Sequence, residues 1–454
     1  MEYKQLKQII EDAAKKAGIM EYEVYYTEDR GMDVSVFQSE IKEFSSAESR
    51  GVCFRCRADG KIGYASTELM DEEELRALPS RAVENAALIE NTDSDDFYGT
   101  GDNYRQTETE IAPLAATGDY IDKALACQKA CYDADSRVSE GTETSAGGYR
   151  TVIRLFNSNG LDLSAAYGYD SAFTMPVVQD GDDVNAAFFF RIKPIEAIDA
   201  AAVAAEAVAR SAQKIGAVQQ ESGKMPVIIS NEQVCTMMSA FLSAFSADAA
   251  QKGLSLLAGK EGEKIASDCV TLIDDPFYPD SPVKMPFDAE GVATREKTVI
   301  ENGELKTLLH NRKTAKKAGV STTANASKHS FADSISISPY CFYIKPGNVS
   351  FEELLSEAKD GVYITEFKGL HAGANAVTGD SVCSGDFSID SEGFTIENGK
   401  IGHAVRSFTV AGNFFTLLQN IHALDNRLSL DYPSGVTVLG APDILVDGLS
   451  VAGK

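Results

Sequence analysis

Residues 230–247 read SNEQVCTMMSAFLSAFSA, and the reading of this stretch decides what the C-terminal half of the chain is built around. Ser230 is placed as an N-cap and Gln233 as its capping-box partner, so a helix is expected to start at 231. Val234, Met237, Met238, Phe241, Leu242 and Phe245 recur at helical spacing and form an apolar stripe that must face a core. The opposite stripe is small throughout: Thr236, Ser239, Ala240, Ser243, Ala244 and Ala247. A zinc-binding helix of the histidine–glutamate type needs two imidazoles and a carboxylate on one face, to hold a water and lower its pKa. Hydroxyls and methyls stand there instead. The helix reads as a core element without zinc chemistry.

Outward from this helix, residues 223–454 read mostly as strand. TVIENGELKTLL and FTIENGKIGHAV carry Asn302-Gly303 and Asn398-Gly399, the dipeptide that most strongly marks a tight hairpin. FEELLSEAKDG is a short helix, and the end of the chain, GVTVLGAPDILVDGLSV, alternates apolar and polar residues. Upstream, residues 1–104 read helix, three strands, then a second helix over about 70–90 that Pro79 should break or kink. Residues 105–222 open and close with helices around YRTVIRLFNSNGLDLSAAYGYDS, which turns at Asn157–Gly160. The expected class is α+β: N-terminal mixed α/β segments followed by a large, mostly antiparallel β domain at 223–454.

Composition narrows the function classes. The 454 residues carry 42 Lys plus Arg against 68 Asp plus Glu, a formal charge of −26, which repels a phosphate backbone and argues against direct nucleic-acid binding. No apolar run approaches the roughly 20 residues that span a bilayer, so no membrane role is expected. The stretch MEYKQLKQIIEDAAKKAG reads as an amphipathic helix rather than a signal peptide, and the protein is expected in the cytoplasm. The eight cysteines form no disulfide framework. Cys53 and Cys56 lie three apart in a strand that turns at Asp59-Gly60, and so should point to opposite faces. Cys127 and Cys131 share one face of a helix over 118–135.

The third segment resembles the TldD/PmbA family, on its PmbA (TldE) branch. The resemblance rests on an ordered set: KEGEKIASDCVTLIDDP at 260–276, FDAEGVATREKTVIENGELKTLLHNRKTAKKAG at 287–319, TTANASKHS, NAVTGDSVCSGDFSIDSEGFTIENGKI, SFTVAGNFFTLLQNI and APDILVDGLSVAGK. Ala324 stands where the family usually has glycine. The family resemblance implies a two-subunit metallopeptidase that hydrolyses unfolded peptides, associated with maturation of peptide-antibiotic precursors, antitoxin degradation and the older label of DNA gyrase modulator. It also implies that one subunit carries H-E-x-x-x-H on this helix and a cysteine ligand near the C-terminus. In this sequence that motif falls on Ser239, Ala240 and Ala244, and the cysteine region falls near Leu430. The chain therefore resembles the non-catalytic subunit, with no catalytic, cofactor-binding or metal-ligating residues of its own and zinc expected in the partner.

The expected partners are a zinc-bearing TldD-like paralogue in a heterodimer, or a second copy of this chain, together with an unfolded peptide taken up by strand addition to an exposed edge. Candidate cleft-lining residues are Ser239 and Ser243 on the small stripe and Asn325, Thr378, Gly379 and Asp380 in turn motifs. Two alternatives stand beside this reading. One is a stand-alone homodimeric protein that binds peptides or an antitoxin. The other is a cysteine hydrolase using Cys383 with His371 or His403, although Asp380 and Asp386 crowd that thiol with negative charge. Other motifs fall short. GLSLLAGKE has the wrong glycine spacing for a phosphate loop, and Asp93, Asp95 and Asp96 precede Phe97 and Tyr98 where a calcium loop needs a ligand and a glycine.

Overall fold

The computed structural model describes residues 1–89, 96–110, 112–369 and 384–454. Five strands build the first sheet, four of them long: β1 (Tyr22–Phe37), β2 (Glu40–Ala58), β4 (Glu143–Asn157) and β5 (Asp162–Met175), with the shorter β3 (Lys61–Thr67) at its edge. A short ribbon follows, β6 (Val177–Asp180) with β7 (Asp183–Ala186), and then β8 (Phe189–Ile192). The resulting six-stranded antiparallel sheet has the order β3-β2-β1-β4-β5-β8, so strands of the first and second segments share one sheet through the β1–β4 pair.

Length lets one face of this sheet carry two helix pairs. Val24, Tyr26 and Phe156 pack under α1 (Tyr3–Lys16) and α2 (Glu72–Ala87) at one end. Val34, Val36 and Ala146 pack under α3 (Thr117–Ala134) and α4 (Ala200–Ala212) at the other. Pro79 does not break α2. It loses one backbone donor, but Leu75, Leu78 and Ala82 around it are fully buried and hold the helix in place. Cys56 faces the helices, whereas Cys53 lies beside Lys328 on the other face, as strand alternation requires. That other face carries Tyr25, Ile153 and Leu155, and it packs against Met285, Phe287 and Tyr340 of the C-terminal domain.

After β9 (Val218–Gln219), β10 (Gly223–Ile229) enters a barrel with strands Gly361–Lys368, Asp386–Glu397, Lys400–Asn413 and Ile444–Ala452. Pairing of the last two closes the ring. A second six-stranded sheet runs alongside it, from Glu304–Leu305 through Lys297–Glu301, Leu272–Asp274, Cys341–Ile344 and Val438–Ala441 to Ser429–Leu430. Most pairs are antiparallel, with parallel exceptions such as β10 beside Gly361–Lys368. Asn302 and Gly303 take φ of 49° and 83°, and Asn398 and Gly399 take 50° and 74°, the left-handed pair that a two-residue hairpin demands.

The 230–247 stretch departs from a single helix. Helix α5 covers Asn231–Ala240, a 3₁₀ turn follows at Leu242–Phe245, and a new short helix starts at Ala247. The tightening brings Phe241 onto Phe414, stacked at 4.6 Å, and Phe245 edge-on to Phe342 at 5.5 Å. It also splits the small stripe: Ala244 and Ala247 are buried, while Ser239 and Ser243 stay exposed. The capping box does not form. Asp443 accepts the Asn231 amide at 2.6 Å, and the Gln233 side chain instead accepts the Phe367 amide at 2.8 Å.

Candidate functional site

Between the free face of the N-terminal sheet and the C-terminal domain lies an open cleft of about 560 Å³. The sheet supplies a hydrogen-bonded polar wall. Asp29 on β1 accepts from Tyr149 Oη at 2.8 Å and from Thr151 Oγ1 at 2.7 Å, both on β4. Asp29 and Thr151 pair directly in the β1–β4 register, and Tyr149 lies two residues along on the same face. Burial pushes the Tyr149 phenol up to about 12. It is therefore a neutral donor.

The opposite wall comes from three parts of the C-terminal domain. Helix α5 contributes Ser239, the segment 327–338 contributes Lys328, and the chain after strand Ser429–Leu430 contributes Asp431 and Tyr432. Lys328 lies 5.3 Å over the Tyr25 ring, and burial holds its ammonium below the usual lysine range. Burial, then the neighbouring Glu232, pushes the Asp431 carboxyl up. Tyr432 packs edge-on against Tyr169 and Phe190 of the sheet, at 5.4 and 5.5 Å, and joins the two walls.

Beneath the cleft the seam is ionic. Arg55 bonds Glu23 at 2.7 Å, and its charge also bears on buried Glu290. Asp288 is fully enclosed and accepts the amides of Glu290, Val292 and Ala326. Burial, and then Glu290, still drive its carboxyl well above the carboxylate range.

Of the residues singled out in the sequence, Ser239 lines this cleft; Ser243 is exposed outside it. Asn325 is 0 % exposed and lines no described cavity. It donates to Asp274 Oδ2 at 2.8 Å and to the Ser338 carbonyl at 3.0 Å, which makes it a structural tie between loops rather than a cleft-lining residue. Thr378, Gly379, Asp380, Cys383 and His371 lie outside the described residues. His403 is a surface residue 2.9 Å from Glu397. Asp29, Asp431 and Tyr149 lie in no motif singled out in the sequence, and Lys328, within TTANASKHS, was not marked as a site residue. Only the long-range pairing of β1 with β4, and of the sheet with the C-terminal domain, brings them together.

The fit of this wall to zinc can be judged from its donors. Ser239, Ala240 and Ala244 offer no imidazole or carboxylate. Cys235, one turn before Ser239, is buried, and burial and then Asp431 raise its thiol well above the usual range. No group of three or more His, Cys, Asp or Glu with metal-holding geometry occurs among the described residues. This donor set does not fit a zinc ion.

Residues 22–86, 115–215 and 222–453 match, in turn, domain 1, the central domain and the C-terminal domain of the PmbA/TldA metallopeptidases. The chain belongs to the PmbA/TldA metallopeptidase family. It is 33% identical over 209 residues to a metalloprotease of Archaeoglobus fulgidus, a match that spans 46% of this chain and 47% of that relative, about half of each. With a metalloprotease PmbA homolog of Haemophilus influenzae it shares 25% identity over 456 residues, covering 98% of this chain and 94% of the other. A solved Thermotoga maritima structure, whose name refers to modulation of a DNA gyrase, superposes with a TM-score of 0.88 at 30% identity, covering 99% of this chain and 100% of that one. Ala324 takes φ +57°, a left-handed conformation that glycine adopts without strain. No helix among the described residues is long and apolar enough to cross a membrane.

Proposed function

We propose that this chain is a metal-free, peptide-holding subunit that completes a peptidase together with a zinc-bearing paralogue of its own family. The observation that carries this reading is the cleft itself. Its sheet wall is fully built and hydrogen-bonded, while α5 presents Ser239 where a catalytic paralogue would place a metal donor. Strand β2 pairs with β3 only from Val52 onward, so its outer edge from Glu40 to Gly51 is free among the described residues. Ser49, on that edge, lines the cleft. An unfolded peptide can pair its backbone with such an edge at the rim of the cleft, beside Ser49. Lys328 and Asp29 then offer one charge of each sign for its polar groups. The proton-transfer and metal steps of hydrolysis would belong to the partner.

Reconstitution with the zinc-bearing paralogue of the same genome tests this. The expected result is a one-to-one complex with one zinc per pair by native mass spectrometry, active on an unfolded protein such as reduced casein, while this chain alone is inactive even with zinc added. Hydrolysis by this chain alone, dependent on added zinc, would overturn the proposal.

A further inference from the structure

The register of the N-terminal sheet sets one row of side chains across the floor of the cleft. Ser49 on β2, Asp29 on β1, Thr151 on β4 and Tyr167 on β5 pair in turn, and all four line the cleft. Asp29 is the only charged side chain that these four strands contribute to it among the described residues. Its two oxygens are used unequally. Tyr149 and Thr151 both donate to Oδ1, whereas Oδ2 has no hydrogen-bond partner among the described residues. The carboxylate is thus held in one orientation with an acceptor to spare. The phenols beside it add no charge of their own, because burial pushes both Tyr149 and Tyr167 up. Lys328 is placed elsewhere, over the Tyr25 ring and beside Cys53, four residues along β1 from Asp29.

Such a floor discriminates among peptide side chains. An acidic one would meet Asp29 and, at the rim, the exposed Glu68. A neutral donor would give Oδ2 an ordinary hydrogen bond. A guanidinium or ammonium gives it a charge-assisted one and can also lie against tyrosine rings. Length matters as well. A strand added along the free edge beside Ser49 lies two strand spacings, about 10 Å, from Asp29. Arginine and lysine can cross that gap over the small Ser49 side chain, and short side chains cannot. The formal charge of −26 favours the approach of basic segments. We infer that the cleft selects unfolded peptides carrying arginine or lysine, whose cationic head is received by Asp29 Oδ2 beside Tyr149 and Tyr167. This rests on the peptide-holding role proposed above and adds the class of substrate.

Calorimetric titration of the full chain with two capped peptides tests the inference: acetyl-Gly-Ser-Gly-Arg-Gly-Ser-Gly amide, and its twin with citrulline, which keeps the shape of arginine and loses the charge. The arginine peptide should bind roughly tenfold more tightly than the citrulline peptide, and the gap should narrow as salt is raised. Asp29→Asn keeps an Oδ1 acceptor for Tyr149 and Thr151, so it should melt as wild type while binding the two peptides alike. Ser243→Ala, outside the cleft, should keep the wild-type preference. Equal binding of the two peptides by the wild type, or a preference that survives in Asp29→Asn, would overturn the assignment and leave the peptide-holding role standing. No binding of either peptide up to about 10 mM would overturn both.

Discussion

The barrel core and the seam between the two halves of the molecule are equally enclosed, yet they are made of opposite materials. Around α5 the enclosure is apolar: Val234, Met237, Met238, Phe241 and Phe245 meet Val362, Ile364 and Phe414. Along the seam the chain buries Glu23, Arg55, Asp288 and Glu290, with Tyr25 and Phe287 between them. Apolar burial stabilises without direction, whereas buried ions are costly unless their partners are exactly placed. The core therefore carries stability. The seam carries geometry, fixing the sheet wall against the α5 wall and setting the width of the cleft.

Substitutions on the two sides should separate these roles. Phe241→Ala removes a fully buried ring stacked on Phe414 and should lower unfolding stability by about 4 kcal/mol, read by denaturant titration. Arg55→Leu leaves Glu23 and Glu290 buried without their cation and should cost about 3 kcal/mol near neutral pH. That loss should shrink in acid as Glu290, whose carboxyl burial already holds above its usual range, takes up a proton, whereas the Phe241→Ala loss should not. Equal pH dependence in the two variants would dissolve the distinction.

A smaller effect is expected where the core meets the helix start. Burial raises the Asp443 carboxyl from 3.8 to about 6. Because the folded state holds this proton more tightly than the unfolded chain, the contribution is fully present below about pH 4 and lost as pH rises through about 6. Asp443→Asn keeps an acceptor for the Asn231 amide without the charge. It should be more stable than wild type by about 1–2 kcal/mol at pH 7.5, with the gap closing in acid. Melting temperatures across that range read it directly. The smallest change is Ala324→Gly, which relieves a left-handed alanine and should stabilise by about 1 kcal/mol or less, because glycine also gives the unfolded chain more freedom.

What the sequence disclosed was local. The Asn-Gly turns at 302–303 and 398–399, the α3 and α4 helices and the hairpin at 157–160 all follow from chemistry within a few residues. The apolar stripe of residues 234–245 correctly marked a core element. Its break after Ala240 was illegible, because it depends on where Phe414 and Phe342 sit, more than a hundred and about a hundred residues away in sequence respectively. The β1–β4 pair spans more than a hundred residues as well, and with it the Asp29–Tyr149–Thr151 wall. Of the site residues, Ser239 could be named because helical spacing predicts a face. Asn325 was misplaced because a turn motif does not tell whether its side chain points outward or, as here, into Asp274. Ser230 looked like a cap, yet Asp443, distant in sequence, occupies that role.

The account turns on the cleft beside Ser239, and one pair of variants tests it most directly. In the reconstituted complex with the zinc-bearing paralogue, turnover of unfolded casein should be compared for Ser239→Trp and Ser243→Trp, both at exposed positions. The account predicts that an indole at 239 fills the cleft and lowers turnover by roughly tenfold or more with little change in melting temperature, while 243 leaves turnover near wild type. Equal turnover by the two variants would contradict it.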